Sequence, residues 1–116
     1  MITKKTAQEI EVLREGGKIL GEMLRRLADA ATPGTSTQHL DDLAQAMCEE
    51  YGVTPSLLGY HPTFAPRPYP AATCISVNDV VQHGIPAEDE VMHAGDIVDI
   101  DCTVEYNGLV VDAGLT

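Results

Sequence analysis

The second part of the sequence lacks cations. All seven Lys and Arg residues lie at or before Arg67, whereas residues 68–116 carry nine carboxylates: Asp79, Glu88, Asp89, Glu90, Asp96, Asp99, Asp101, Glu105 and Asp112. Nucleic-acid binding needs clusters of Lys and Arg, so this distribution and the formal net charge of -11 argue against a nucleic-acid partner. A solvated acidic surface explains residues 88–90. It explains Asp99 and Asp101 poorly, because they lie within an apolar run.

The sequence also lacks cysteines at a pairing distance and long apolar runs. The three cysteines have neither a disulfide-type nor a zinc-type spacing, and we predict that they pack as reduced, small apolar groups: Cys48, Cys74 and Cys102. Residues 1–17 contain no apolar signal-peptide core, and no run reaches the length of a membrane span. We therefore expect a cytoplasmic protein with no membrane partner.

Two helices are predicted in the first half of the sequence. A capping box of Thr6 and Glu9 begins the first helix, and apolar residues at helical spacing continue it to a predicted end near Ala31. After a Pro-Gly break, we predict that Thr35 with Gln38 caps a second helix. Its apolar stripe indicates a helix that packs on a core: Leu40, Leu43, Ala44, Met47 and Tyr51.

The second half predicts an antiparallel sheet. Residues 53–72 are rich in proline and form a predicted loop, and residues 73–77 form a short β-branched strand. Residues 97–104 alternate between apolar and polar side chains, as a half-buried strand does. Asn107-Gly108 is a strong two-residue hairpin signal, and LVVDA returns as the partner strand. The order of helix, helix, loop and strands indicates an α+β fold.

The predicted hairpin brings two carboxylates together. A turn at Asn107-Gly108 pairs Thr103 with Asp112, so Asp101 becomes a diagonal neighbour of Asp112 on one face, with Cβ atoms roughly 6–8 Å apart. Hard oxygen ligands at that distance suit Mg²⁺, Mn²⁺, Fe²⁺ or Co²⁺. The pair could instead be a dyad that shares a proton, or an idle, solvated pair. The spacing alone favours the solvated pair.

Five segments, in order, resemble type I methionine aminopeptidase, and the similarity extends from about Thr6 to Asp112. They are PGTSTQHLDDLA (33–44), LGYH (58–61), YPAATCISVN (69–78), NDVVQHGIP (78–86) and IDCTVEYNGLVVDAG (100–114). The resemblance implies the N-terminal half of the pita-bread fold. It also implies removal of the initiator methionine from nascent polypeptides, with two divalent metal ions (Co²⁺, Mn²⁺, Fe²⁺ or Zn²⁺) as cofactors.

The resemblance assigns roles to individual residues. Asp101 and Asp112 match the first two metal ligands of the family. His83 matches a catalytic histidine that contacts the substrate near the scissile amide. The side-chain pocket for methionine is matched by Tyr60, Tyr69 and Cys74, with His83 beside it.

The sequence also departs from the family pattern. Asp99 stands where the family usually has Asn, and seven residues, PTFAPRP, separate His61 from Tyr69. The family's other ligands, one His and two Glu, belong to the second half of its fold. We therefore expect residues 1–116 to be the N-terminal half of a catalytic domain, inactive unless a second chain or the missing half completes the site.

Two other functions are compatible with this sequence. One is a prolidase-like metallopeptidase of the same fold. The other is a non-enzymatic binding module that reuses the fold without its chemistry. Asp101, Asp112 and His83 together favour an enzyme, and Tyr60 with Cys74 favours the methionine-specific one.

Overall fold

Two helices pack on one face of a four-stranded antiparallel sheet in the computed structural model, which describes residues 2–116. The elements are α1 (Ala7–Ala30), α2 (Thr37–Tyr51), β1 (Thr54–Pro55), β2 (Thr73–Val77), β3 (Val98–Tyr106) and β4 (Leu109–Leu115). β3 is central: one of its edges pairs with β4 and the other with β2 and β1. The predicted α+β class is confirmed.

The ends of the helices follow local capping rules, with one difference from the prediction. The capping box of Thr6 and Glu9 is formed at the start of α1. The second helix is capped by Ser36, whose hydroxyl accepts a hydrogen bond from the His39 amide at 3.1 Å. The prediction of Thr35 as the cap is wrong, because Ser36 is the last extended residue before the helix and so has its side chain in reach of the first turn.

The core lies between the helices and the inner face of the sheet. Alternate residues of β3 face the helices, as the sequence pattern predicts: Ile100, Cys102 and Val104. All three cysteines are buried and free, which confirms their predicted packing role. Burial raises the pKa of the Cys102 thiol to about 12 and that of Cys48 to about 11, so neither is a reactive thiolate. No helix within residues 2–116 is long and apolar enough to cross a membrane.

The hairpin between β3 and β4 turns where the sequence predicts. Asn107 and Gly108 both have positive φ, 47° and 80°, as a type I′ turn requires. The proline-rich segment is a loop apart from β1, whose two residues pair with β3 and which the sequence pattern does not reveal. A two-residue strand that contains Pro55 gives too little periodic signal to predict.

Candidate active site

Asp101 and Asp112 lie on the outer face of the sheet, away from the helices. Thr103 pairs with Asp112 and Asp101 pairs with Gly114, so the two carboxylates are diagonal neighbours on adjacent strands. The Thr103 hydroxyl donates to Asp112 Oδ1 at 2.6 Å and thereby orients that side chain. The register predicted from the Asn107-Gly108 turn is confirmed, and the sheet itself brings the two side chains together.

The outer face concentrates negative charge. Partial burial, and after it the charges of Asp112 and Asp99, raise the pKa of the Asp101 carboxyl, while His83 acts in the opposite direction. The ion pairs within residues 2–116 use other carboxylates, those of Glu11, Glu22, Glu50 and Asp96. The cost of holding Asp99, Asp101 and Asp112 together is therefore not offset by Lys or Arg.

The donor set fits a divalent cation, but only in part. Two carboxylates on one face, with one oxygen of Asp112 fixed by Thr103, are the hard ligands that such ions prefer. Within residues 2–116, however, no cluster of three or more His, Cys, Asp or Glu side chains is arranged to hold a metal ion. Asp101 and Asp112 could be two ligands of a metal site whose remaining donors are not among these residues.

A pocket of about 490 Å³ opens on the same side of the sheet. Every residue that the sequence predicts for substrate binding lines it: Tyr60, Tyr69, Cys74 and His83. Cys74 of β2 is the direct cross-strand partner of Asp101, so the pocket and the carboxylate pair share one face. The rest of the lining is mostly apolar, and Tyr60 at the rim is 60% exposed. Such a pocket suits an uncharged side chain better than a charged one.

Hydrogen bonds of Tyr69 fix the backbone beside His83. The Tyr69 hydroxyl lies 3.0 Å from the Thr73 carbonyl and 3.2 Å from the Gly84 carbonyl, and it donates to both in a bifurcated arrangement. Burial, followed by contact with the Cys74 thiol, raises the pKa of Tyr69, so the hydroxyl stays protonated and able to donate. His83 itself has a positive φ of 56°, which is uncommon for a residue other than glycine. Tyr69 is thus a positioning residue as well as part of the pocket wall.

Asp41 is a structural residue that the sequence analysis missed. Its side chain is fully buried in α2, and its Oδ1 accepts hydrogen bonds from the Ala72 and Thr73 amides and the Thr73 hydroxyl at 3.0, 2.8 and 2.6 Å. These bonds fix the start of β2, the strand that carries Cys74. A signal was present: Asp41 stands three and seven residues before Ala44 and Cys48, on the buried side of the helix.

The inserted residues form part of the pocket. Six of the seven inserted residues line it together with Cys74 and His83: Pro62, Phe64, Ala65, Pro66, Arg67 and Pro68. Two backbone hydrogen bonds close the base of this loop: Gly59 donates to the Tyr69 carbonyl and Tyr69 donates to the Tyr60 carbonyl, each at 2.8 Å. The insertion therefore projects from a closed base and leaves Tyr60 and Tyr69 side by side in the pocket.

Comparison with known proteins agrees with this geometry. The sequence profile of metallopeptidase family M24 matches residues 11–116. The chain belongs to metallopeptidase family M24. It is 40% identical to methionine aminopeptidase 1 of Mycobacterium tuberculosis and 43% identical to the methionine aminopeptidase of Clostridium acetobutylicum, each over 116 residues. Those alignments cover 100% of this chain but 41% and 44% of the two relatives, so the chain spans less than half of their length.

Solved structures of family M24 relatives confirm the fold. Methionine aminopeptidase of Thermotoga maritima superposes with a TM-score of 0.89 at 35% identity, over 99% of this chain and 44% of that one. Aminopeptidase P of Escherichia coli, solved in complex with substrate, gives 0.70 at 26% identity over 95% of this chain and 22% of that one. The chain thus has the architecture of the N-terminal half of the pita-bread fold.

Proposed function

We propose that this chain contributes two metal ligands and the substrate pocket to an aminopeptidase that removes the initiator methionine from nascent polypeptides in the cytoplasm. One observation carries the proposal. The β2–β3–β4 register places Asp101 and Asp112 on the sheet face that also presents Cys74 to the pocket. An apolar pocket next to two carboxylates can hold the uncharged first side chain of a peptide while the backbone of that peptide lies over the two carboxylates.

Each group has a role in this proposal. Asp101 and Asp112 would hold divalent ions, which would supply polarisation of the scissile carbonyl and activation of water. Tyr60, Tyr69 and Cys74 contact the thioether side chain, whose sulfur makes favourable contacts with aromatic rings. His83, on the pocket wall near Asp101, donates a hydrogen bond to the substrate near the scissile amide.

The length of the relatives suggests how the site is completed. The chain covers 41% to 44% of them, and two carboxylates are too few ligands for a tight dinuclear site. We infer that residues 1–116 form the N-terminal half of the catalytic domain, with further ligands supplied by another half or another chain. The 116-residue chain alone should then bind Mn²⁺ or Co²⁺ weakly and turn over little substrate.

The decisive experiment uses the natural protein, expressed from its complete gene. Release of methionine from Met-Ala-Ser is measured with saturating Mn²⁺ or Co²⁺ for the wild type, Asp101→Asn and Asp112→Asn. Both variants should lose more than about 100-fold in kcat/KM, since the loss of groups that merely support ligands already costs 10–100-fold. The control is Asp89→Asn, the same chemical change at an exposed residue, which should keep full activity. Unchanged turnover in the Asp101 or Asp112 variant would refute the proposal.

The same assay separates the other two functions. A prolidase-like enzyme would cleave Xaa-Pro dipeptides and leave Met-Ala-Ser intact. A binding module would cleave neither substrate with Mn²⁺ or with Co²⁺. The higher structural similarity to methionine aminopeptidase than to aminopeptidase P, with TM-scores of 0.89 and 0.70, favours methionyl peptides as the substrate class.

A further inference from the structure

The loop of residues 61–68, which we call the proline loop, has a fixed shape. Beyond its closed base it contains an inner turn, in which the Ala65 amide donates to the Pro62 carbonyl at 2.9 Å. The His61 ring contributes a contact between Nε2 and the Ala65 carbonyl at 3.1 Å. The loop is therefore an ordered part of the pocket wall.

Two prolines restrict the backbone of the loop around Arg67, the residue that carries the positive charge of the loop. Arg67 stands between Pro66 and Pro68, and all three line the pocket. A proline fixes its own φ and also confines the preceding residue to extended conformations, so the Ala65–Pro68 backbone has little freedom to lose when a ligand binds. Arg67 is thus presented at the pocket from a stiff support.

The charge of Arg67 is isolated. It is the only Lys or Arg after Arg26 in the sequence. Within residues 2–116 the ion pairs of arginine use Arg14, Arg25 and Arg26, and Arg67 takes part in none of them. An accessible guanidinium at the edge of an apolar pocket, without an internal carboxylate partner, is available to a carboxylate of a ligand.

We propose that the proline loop is a second subsite, which binds the polypeptide beyond its first residue and in which Arg67 selects an acidic side chain. The inference rests on the proposed function for the identity of the ligand, a peptide whose first side chain occupies the pocket. In this arrangement the residues after the first, which advance about 3.3–3.6 Å each in an extended peptide, run along the proline loop, where the Arg67 side chain can reach them. The preferred substrates are then polypeptides with Asp or Glu at the third or fourth position.

The overall charge of the chain makes this preference diagnostic. Residues 1–116 carry a formal net charge of -11, so the long-range electrostatics of this part of the protein favour basic peptides over acidic ones. A preference for acidic peptides would therefore come from a local cation, and Arg67 is the only Lys or Arg among residues 2–116 that lines the pocket.

The test measures peptide binding to the natural protein expressed from its complete gene, with EDTA present so that no turnover occurs. Fluorescence anisotropy is recorded with C-terminally labelled peptides that begin Met-Ala-Glu-Glu, Met-Ala-Gln-Gln and Met-Ala-Lys-Lys. The wild type should bind the Glu peptide up to about fivefold more tightly than the Gln peptide, the range of one exposed ion pair, and 0.5 M NaCl should remove the difference. Arg67→Gln should abolish the preference.

A matched variant controls for net charge. Arg14→Gln removes the same charge from the exposed surface of α1, on the other side of the sheet, and should keep the preference for the Glu peptide. Equal binding of the Glu and Gln peptides by the wild type, or equal effects of the Arg14 and Arg67 variants, would overturn the inference. Methionine release from Met-Ala-Ser is measured in parallel with Mn²⁺. If no methionine is released but the wild type still prefers the Glu peptide, the proposed activity is refuted and the subsite is supported.

Discussion

The carboxylate of Asp41 in α2 and Thr73 at the start of β2 are joined by two hydrogen bonds to the same Oδ1 atom, at 2.8 Å from the amide and 2.6 Å from the hydroxyl. The Ala72 amide adds a third at 3.0 Å, and Gln45 Nε2 donates to Oδ2 at 2.8 Å. A buried side chain thus satisfies backbone donors at the beginning of a strand. It ties β2, and with it Cys74 and the pocket, to the second helix.

Replacement of Asp41 by Ala should destabilise the fold strongly. The change leaves the Ala72 and Thr73 amides buried without their acceptor, and each unsatisfied buried group costs about 1–3 kcal/mol. We expect the free energy of unfolding to fall by roughly 3 kcal/mol, measured by urea denaturation followed by circular dichroism.

The neighbouring residue provides a control. Asp42 is exposed and accepts one hydrogen bond, from Gln38 one turn earlier in α2. Asp42→Ala should cost no more than about 0.5 kcal/mol, the typical value of such a helical pair. Equal losses for the two variants would show that the Asp41 bonds contribute nothing beyond helix formation.

The Tyr69 hydroxyl should control the mobility of the segment next to His83. Tyr69→Phe removes the donor to the Thr73 and Gly84 carbonyls and keeps the ring in the pocket. The Ile75 amide, which donates to the Gly84 carbonyl at 2.9 Å, should then exchange with deuterium roughly fivefold faster, because the loss of one hydrogen bond is worth about 1 kcal/mol. Hydrogen exchange followed by NMR measures this. Tyr60→Phe alters an exposed rim residue of the same pocket and should leave that amide unchanged.

The sequence predicts the parts of the fold that rest on local rules. Capping at Thr6, the alternation of β3 and the Asn107-Gly108 turn are local features, and the turn alone fixes the pairing of Thr103 with Asp112. The placement of Asp101 next to Asp112 could therefore be derived without coordinates. The assembly of the pocket could not be derived from residue spacing, because Tyr60, Cys74 and His83 come from three segments that only tertiary packing brings together.

The buried polar contacts escaped prediction for a similar reason. The spacing of Asp41 to Ala44 and Cys48 places it on the buried side of α2, but its partners lie 31 and 32 residues away in the chain, and no local pattern identifies them. The proline loop gave no periodic signal either, and only the folded chain shows that it lines the pocket and that bonds between Gly59, Tyr60 and Tyr69 close its base.

Gly84 should tolerate no side chain. A Cβ at this position would lie 2.0 Å from the Ile75 carbonyl oxygen. This backbone atom cannot shift without disturbing the hydrogen bond from the Ile75 amide to the Gly84 carbonyl. Gly84→Ala should lower the free energy of unfolding by at least about 2 kcal/mol.

Gly17→Ala should have the opposite effect. A Cβ at Gly17 meets nothing within 4 Å on an exposed turn of α1, so the change should raise the free energy of unfolding by roughly 0.5–1 kcal/mol. Denaturation curves of both variants give the comparison, and a neutral Gly84→Ala would mean that the close approach to Ile75 is absent.

Asp101 should destabilise the metal-free protein at neutral pH. Burial and the charges of Asp112 and Asp99 raise its pKa, so the folded chain holds this proton more tightly than the unfolded chain does. The cost of ionisation is absent below the usual carboxyl pKa of about 3.9 and grows as the pH rises through the higher pKa of the folded state. With EDTA present, Asp101→Asn should therefore raise the melting temperature at pH 7 and have little effect at pH 3, whereas Asp89→Asn should change it little at either pH. Thermal unfolding at the two pH values measures this, and a gain for Asp101→Asn that is as large at pH 3 as at pH 7 would show that ionisation of Asp101 does not destabilise the fold.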